Sequence, residues 1–299
     1  MKYNKILITG ATGEIGSCLV KELSCENLLN LGRNKERLEK LGNKYVQCDL
    51  NDLNQLKTNI KLFEDVDCLI HLAANVKESK NVLENGAEMI ENNIFSTVNL
   101  LKFLPNLKKI IFPSSCSVYG IFSSNEKVDE KHVANPEGIY AASKLATENL
   151  LSIYAKNKGI ELCILRISSV FSPKEYSLNV GRAINIFAEN ISQNKTIKII
   201  GDGENKRDFI YLKDVVLAIK WSFDKTGIYN ISSGKSVSVN EIVKILKNIA
   251  NKEVEITHES SLFKEPNYKY ISTRAKKSGF IPKYSLNEAL REVYSTYLS

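Results

Sequence analysis

The chain has 299 residues, 43% of them hydrophobic, which suits one large α/β domain or a main domain with a smaller companion. Its net charge of +7 comes from lysines spread among glutamates, with no arginine-rich arm, so anionic small molecules are expected partners and nucleic acid is not. No stretch approaches the ~20 apolar residues of a membrane span, no apolar signal core opens the chain, and the six cysteines and three histidines form no CxxC pair or ligand cluster. We therefore expect a cytoplasmic protein with no membrane segment, no metal and no disulfide scaffold.

Close to the start of the chain, from Lys5, stands "KILITGATGEIGSCLVKEL". An apolar strand, Ile6–Thr9, runs into Gly10, Gly13 and Gly16, and a helix pattern follows with Ile15, Leu19, Val20 and Leu23 on one side. Strand, glycine turn and helix N-terminus together form the context of a dinucleotide fingerprint, here spaced GxxGxxG. Gly10 permits the tight turn, Gly13 lets a pyrophosphate approach the backbone, and Gly16 lets helix and strand pack closely. The helix N-terminus favours the phosphates.

Further strand-like runs follow: "NLLNLG", "YVQCDL", "DCLIHLAA", "KIIFPSS" and "ELCILRIS", with helical stretches between them such as "ENNIFSTVNLLKFL". This alternation predicts a Rossmann-like, doubly wound parallel sheet. Ligands bind such sheets beyond the carboxyl ends of the strands. Those ends are Gly10–Gly16, Gly32–Asn34, Asp49–Leu50, His71–Asn75 and Ser114–Gly120, all expected on one rim. An NAD site expects an acid at the end of the second strand, to bind the ribose 2′-hydroxyl. That place reads "LNLGRNKERL", with Gly32 in the acid's position and Arg33 after it. An arginine there can hold a 2′-phosphate, so NADP(H) is expected, with NAD(H) the alternative. Glu36 lies at a similar count but opens a charged helix and reads as solvated.

"IYAASK" at 139–144 and "IYAKNK" at 153–158 each place a lysine four residues after a tyrosine, on one helix face. An ammonium near a phenol lowers its pKa, which suits proton transfer. The spacing alone does not choose between Tyr140 with Lys144 and Tyr154 with Lys158.

The motifs "TGATGEIG", Asp49–Leu50, "HLAA" at 71–74, Asn93 before "IFST", "SSCSVYG", "YAASK", "LRISSVFSP" and "GDGENKRDFIYLKDVVLAI" follow one another over most of the chain. In this order they resemble the extended short-chain dehydrogenase/reductase family, in its nucleotide-sugar epimerase, dehydratase and reductase branch. The resemblance implies that Tyr140 is the general acid/base. It implies that Lys144 lowers the tyrosine's pKa and holds the cofactor ribose, and that Ser115 hydrogen-bonds the substrate oxygen, with Ser117 the alternative. Tyr154, about 21 Å further along the axis, becomes the far end of the helix. The cofactor set implied is Gly10, Thr12, Gly13, Glu14, Ile15, Gly16, Arg33, Asn34, Asp49, Leu50, Leu72, Ala73, Ala74, Asn93 and Ser114, with Tyr140 and Lys144. The substrate set is Ser115, Ser169, Arg207 and Lys264, Arg207 pairing with a substrate phosphate. His71 and Cys116 are given no catalytic role.

Two departures stand out. Ser169 and Ser172 occupy places where relatives commonly carry asparagine and glycine. Cys116 and Ser117 replace the Asp–Glu pair of sugar 4,6-dehydratases, which disfavours water elimination. The resemblance implies residues 1–171 as the dinucleotide part, with a returning segment near 215–235, and 172–299 as a smaller α/β part that mainly binds substrate. The implied activity is NAD(P)-dependent hydride transfer at C4 of a nucleotide-linked sugar, in surface polysaccharide or glycan precursor synthesis, by a homodimer. A 4-epimerase with retained cofactor is the alternative, and a non-catalytic dinucleotide-binding module the alternative of another class.

Overall fold

The computed structural model describes residues 2–23, 26–76, 82–121, 127–177, 183–260 and 267–298. Lys264 falls outside the described residues. In chain order the strands are β1 (Ile6–Thr9), β2 (Leu28–Gly32), β3 (Tyr45–Gln47), β4 (Cys68–His71), β5 (Lys109–Ser115) and β6 (Glu161–Ile167). They continue as β7 (Ser169–Phe171), β8 (Ile197–Ile200), β9 (Lys206–Tyr211), β10 (Gly227–Ile231), β11 (Ser236–Ser238) and β12 (Ile256–Glu259).

Two compact units result. The first comprises Met1–Ile121, His132–Arg166 and Ala218–Tyr229, and the second Phe122–Lys131, Ile167–Leu217 and Asn230–Ser299. A seven-stranded sheet ordered β10-β6-β5-β4-β1-β2-β3 organises the first among the described residues. β1 pairs in parallel with β2 and β4, β2 with β3, and β4 with β5. This is the doubly wound arrangement that the alternation of runs predicts. β1, β2 and β4 are buried at every residue, which explains why they read as continuous apolar runs rather than alternating ones. On one face Leu7, Leu29, Leu31, Leu69, Ile110 and Phe112 meet Leu56, Leu100 and Leu151 from the flanking helices, and Leu104 just beyond one of them. Parallel pairing puts the carboxyl ends of β1 to β5 on one edge, so the five predicted ligand-binding turns do share a rim.

The Ile139–Lys158 helix has Gly138 as N-cap and ends at Gly159, whose φ of 66° closes it in the left-handed conformation that glycine adopts freely. It presents Ala141, Ser143, Lys144, Thr147, Glu148, Leu151 and Ala155 inward. Four of these seven are polar or charged, so this helix packs through hydrogen bonds as much as through apolar area.

The second unit holds a three-stranded sheet ordered β11-β9-β7 and a parallel pair, β12 with β8. Its core gathers Ile184, Phe187, Ile191, Ile242, Leu246, Leu290 and Val293 from three helices, Ala183–Ser192, Val239–Ala250 and Leu286–Ser295. The last two begin with reciprocal caps, Ser238 with Glu241 and Ser285 with Glu288, which satisfy backbone donors at the helix start.

Candidate active site

The glycine turn shows why each glycine is needed. Gly10 has φ of 65°, and a Cβ there would lie 2.7 Å from the Ala73 nitrogen. A Cβ on Gly16 would lie 2.2 Å from the Gly10 carbonyl oxygen. The Glu14–Leu23 helix can therefore approach the loop after β1 only with glycine at position 16. A Cβ on Gly13 would meet only the Gly10 oxygen, at 3.0 Å, so its other side is open to a phosphate group. Gly32 ends β2 beside Thr12: a Cβ would stand 3.4 Å from the threonine hydroxyl oxygen, an ordinary contact. A Cβ is thus tolerated at this place.

Arg33 lies 3.9 Å from the Asp49 carboxylate, with its side chain 71% exposed. Asn34 caps the following Lys35–Glu39 helix by accepting from the Arg37 backbone N–H at 2.9 Å. Asp49 likewise holds its own turn, accepting from the Asn51 N–H at 2.9 Å. Leu50 is buried beside it. These contacts set the rim at the ends of β2 and β3.

A second group of contacts ties the loop after β4 to the helices. The Ala73 N–H donates to the Thr9 hydroxyl at 3.1 Å. Thr9 reaches His71 Nδ1 at 2.8 Å, His71 Nε2 reaches the Thr97 hydroxyl at 2.8 Å, and Thr97 donates to the Asn93 carbonyl at 2.9 Å. Because Thr97 spends its one proton on Asn93, it must accept from His71, so the ring carries its proton on Nε2 and Nδ1 accepts from Thr9. His71 is fully buried, and burial, with the nearby Lys144 charge, pushes its pKa down to about 3. It is a neutral structural histidine with both nitrogens in use.

Asn93 sits in a π-helical turn, Glu91–Phe95, the kind of bulge that re-aims a side chain within a helix. Its amide donates to the Asn75 carbonyl at 3.0 Å and to the Ser143 hydroxyl at 2.8 Å, and it accepts from the Asn75 N–H. Ser143 in turn donates to the Tyr140 carbonyl at 2.7 Å. The loop carrying Leu72, Ala73 and Ala74 is thereby linked to the first turn of the tyrosine helix.

Lys144 is 4% exposed. Its ammonium donates to the Pro113 carbonyl at 2.8 Å and stands 4.5 Å from the centre of the Phe112 ring. Burial lowers its pKa to about 8, against the opposing charge of Glu148. Two residues beyond Pro113, Ser115 ends β5 and accepts from both the Ser117 N–H at 3.1 Å and the Ser117 hydroxyl at 2.8 Å. The two candidate serines are thus hydrogen-bonded to each other. Ser114 turns the other way and donates to Glu148 at 2.5 Å. Cys116 is buried and donates to the Arg166 carbonyl.

Tyr140 is half-buried in the first turn of its helix. Tyr154 packs against the sheet core, and burial raises its pKa, the opposite of what a proton-transfer tyrosine needs. In the second unit Ser169 pairs across to Phe209 and Arg207 to Val237. Neighbouring strand residues face opposite ways. Asp208 points into a buried nest of Ser168, Ser233 and Gly234 donors, and Arg207 is left on the other face, half-buried.

The sequence reading missed Thr9, Thr97, Ser143, Glu148 and Arg166. A signal existed for Glu148, which continues the Tyr140–Lys144 row by four residues on the same helix face.

Residues 6–232 match the model of the NAD dependent epimerase/dehydratase family. A putative UDP-glucose 4-epimerase from Methanocaldococcus jannaschii is 32% identical over 96% of this chain and 96% of its own. An Escherichia coli dTDP-4-dehydro-6-deoxyglucose reductase is 29% identical over 89% of this chain and 88% of its own. A Bacillus cereus UDP-glucuronic acid 4-epimerase, solved with UDP-glucuronic acid and NAD, superposes with a TM-score of 0.85 at 26% identity over 98% of both chains.

The neutral, buried His71 makes a pH prediction. The unfolded chain takes up a proton below the ordinary histidine value of 6.5, whereas the folded chain keeps His71 neutral down to about 3. Its contribution to stability is complete above 6.5 and is lost as pH falls toward 3, at about 1.4 kcal/mol per pH unit. In urea titrations at descending pH below neutrality, the parent should lose stability more steeply than His71→Gln by about this slope. Parallel curves would contradict a neutral His71.

Proposed function

The chain belongs to the NAD dependent epimerase/dehydratase family, and from that premise we propose that it is an NAD(P)-dependent oxidoreductase that transfers hydride at C4 of a nucleotide-linked sugar. The observation that carries the reading is the Lys144–Pro113 hydrogen bond. It joins the helix bearing Tyr140 to the end of the strand bearing Ser115, so that all three proposed catalytic groups share one framework. The nicotinamide, when bound, supplies the hydride acceptor or donor. Tyr140 takes the proton of the C4 hydroxyl during oxidation and returns one during reduction. Ser115 donates to the same oxygen as charge changes on it, with Ser117 holding Ser115 in place. Lys144 keeps a positive charge beside the phenol and binds the cofactor ribose.

Gly10, Thr12, Gly13, Glu14, Ile15 and Gly16 cradle the pyrophosphate, and Asp49, Leu50, Leu72, Ala73, Ala74, Asn93 and Ser114 line the rest of the cofactor. Residues 1–171, with the returning segment near 215–235, hold the dinucleotide, and 172–299 mainly the nucleotide sugar. Ser169, Arg207 and Lys264 bind that substrate, with Arg207 on its phosphates.

A homodimer fits the helices of the first unit, which leave Leu83, Phe95 and Ile153 at 97%, 55% and 60% exposure. Sedimentation velocity reads this directly. The reaction runs in the cytoplasm, in the making of glycan precursors.

Within this class a reductase with exchanging cofactor is favoured by Gly32 and Arg33. A 4-epimerase with retained cofactor is favoured by the epimerases among the relatives.

Three outcomes are expected. Tyr140→Phe should lose about two to four orders of magnitude in turnover while dinucleotide binding persists, and Tyr154→Phe should be nearly silent. Product analysis on UDP-glucose, UDP-glucuronic acid and dTDP-4-dehydro-6-deoxyglucose checks this, and equal effects of the two substitutions would overturn the assignment. Arg207→Ala should weaken UDP binding by about 2–5 kcal/mol with cofactor affinity unchanged. Calorimetry with UDP and with NADP(H) separates the two.

The third outcome concerns the cofactor. The Arg33–Asp49 pair is exposed and therefore weak, so the guanidinium is readily given up to a 2′-phosphate. NADP(H) should bind roughly tenfold or more better than NAD(H), as a charge-assisted contact of ~1.5–3 kcal/mol implies. Gly32→Asp, whose Cβ would meet nothing closer than 3.4 Å, should reverse that order. Mass identification of the nicotinamide released from fresh protein completes the test. Stoichiometric NAD(H) without NADP(H) would overturn the preference and move the reaction to epimerisation.

A further inference from the structure

Beneath the proposed catalytic serine lies a buried ion pair that the mechanism above does not use. Glu148 and Arg166 are 2% and 5% exposed. Arg166 Nη2 donates to Glu148 Oε2 at 2.7 Å, and its Nε lies 3.2 Å from both carboxylate oxygens. An isolated pair of this kind is weak grounds for stability, because desolvating two charges offsets most of their attraction. What these two residues also hold is more informative.

The Glu148 carboxylate accepts from Ser114, the residue before Ser115. The Arg166 carbonyl accepts from Cys116, the residue after it. The Arg166 guanidinium lies 4.8 Å from the centre of the Tyr119 ring, at the end of the same 3₁₀ turn, Cys116–Tyr119. Glu148 is also one helical turn beyond Lys144 and stabilises its charge. The side chains of the pair therefore hold the serine turn at its two ends, Glu148 at Ser114 and Arg166 at Tyr119, and neighbour the lysine. The Arg166 carbonyl that holds Cys116 is a backbone group that substitution leaves in place.

We infer that Glu148 and Arg166 are positioning residues that fix the Ser115 hydroxyl relative to Lys144 and Tyr140. Neither touches substrate or reacting atoms. The inference rests on the proposed roles of Ser115, Tyr140 and Lys144. Glu148 and Arg166 act by removing freedom from the Ser114–Tyr119 turn, so their loss lowers the rate of the chemical step without changing what binds. Catalytic geometry tolerates little error: a displacement near 1 Å can cost about 100-fold in rate.

Removing one partner alone strands a buried charge and damages the fold, whatever the pair does for catalysis. The informative variant removes both, Glu148→Met with Arg166→Met, since apolar replacement of a buried pair is often neutral for stability. The measurements are thermal unfolding, NADP(H) affinity, crystal structures of parent and variant, and turnover of UDP-glucose. We expect a folded variant with unchanged cofactor affinity and with Ser115 Oγ displaced from its parent position relative to Lys144 Nζ by more than about 0.5 Å. We expect kcat reduced about 10–100-fold with KM nearly constant.

A folded variant with Ser115 unmoved, or with full kcat, overturns the inference and leaves the pair structural. If the double variant does not fold, Glu148→Asp, which keeps the charge but shortens its reach, is read by the same measurements against the same outcomes. If Tyr140→Phe keeps full turnover, the proposed chemistry fails instead. Displacement of Ser115 in the crystal structures then still decides the positioning role, because it needs no substrate.

Discussion

A charged lysine buried at the base of the helix is the constraint from which the rest of the site follows. Lys144 has too little contact with water to hold its proton by solvation, and burial draws its pKa down to about 8. It stays a cation near neutral pH because the protein substitutes for water: the Pro113 carbonyl accepts from it, the Phe112 ring lies beneath it and Glu148 faces it. Burying Glu148 to do this creates a second demand, answered by Arg166 and Ser114. Each charge brought inside thus recruits the next group, and the chain of demands ends at the serine turn.

The other arm of the framework is neutral. Ala73, Thr9, His71, Thr97 and Asn93 form a series in which each donor has one acceptor, and the protonation of every member follows from the one beside it. Such a fully satisfied network costs little to bury and has one arrangement only, so it rigidifies the loop it holds. It also disfavours a second charge: a protonated His71 would sit desolvated near Lys144 and would force Thr9 to turn its hydroxyl proton away from Nδ1. The depressed pKa of His71 and the retained charge of Lys144 are therefore two sides of one electrostatic choice.

Much of the first unit was legible in the sequence because its signals are local. Buried parallel strands read as apolar runs, and Gly10 and Gly16 of the turn after β1 stand where a Cβ would strike backbone. The Tyr140–Lys144 pair became distinguishable from Tyr154–Lys158 only through the serine turn and helix start that precede it. What stayed illegible depends on residues distant in sequence. Ser143 meets Asn93 across 50 residues, and Arg166 meets Glu148 across 18. No periodicity announces such pairs. The second unit was legible only as a mixed α/β remainder, since β12 is exposed along its length and carries no alternation.

Register explains why one acid and one base adjacent in sequence have separate fates in the second unit. Asp208 is fully enclosed, its carboxylate accepting from Ser168, Ser233 and the Gly234 N–H. Those bonds oppose the rise in pKa that burial causes and tie β9 to the turn after β10. Pairing Asp208 with Arg207 would have wasted both, because a strand cannot turn neighbouring side chains to one face. The alternation commits the acid to the fold and leaves the guanidinium on the opposite face. An "RD" dipeptide in a strand is for that reason not an ion pair but two groups on opposite faces, the acid here committed to the fold.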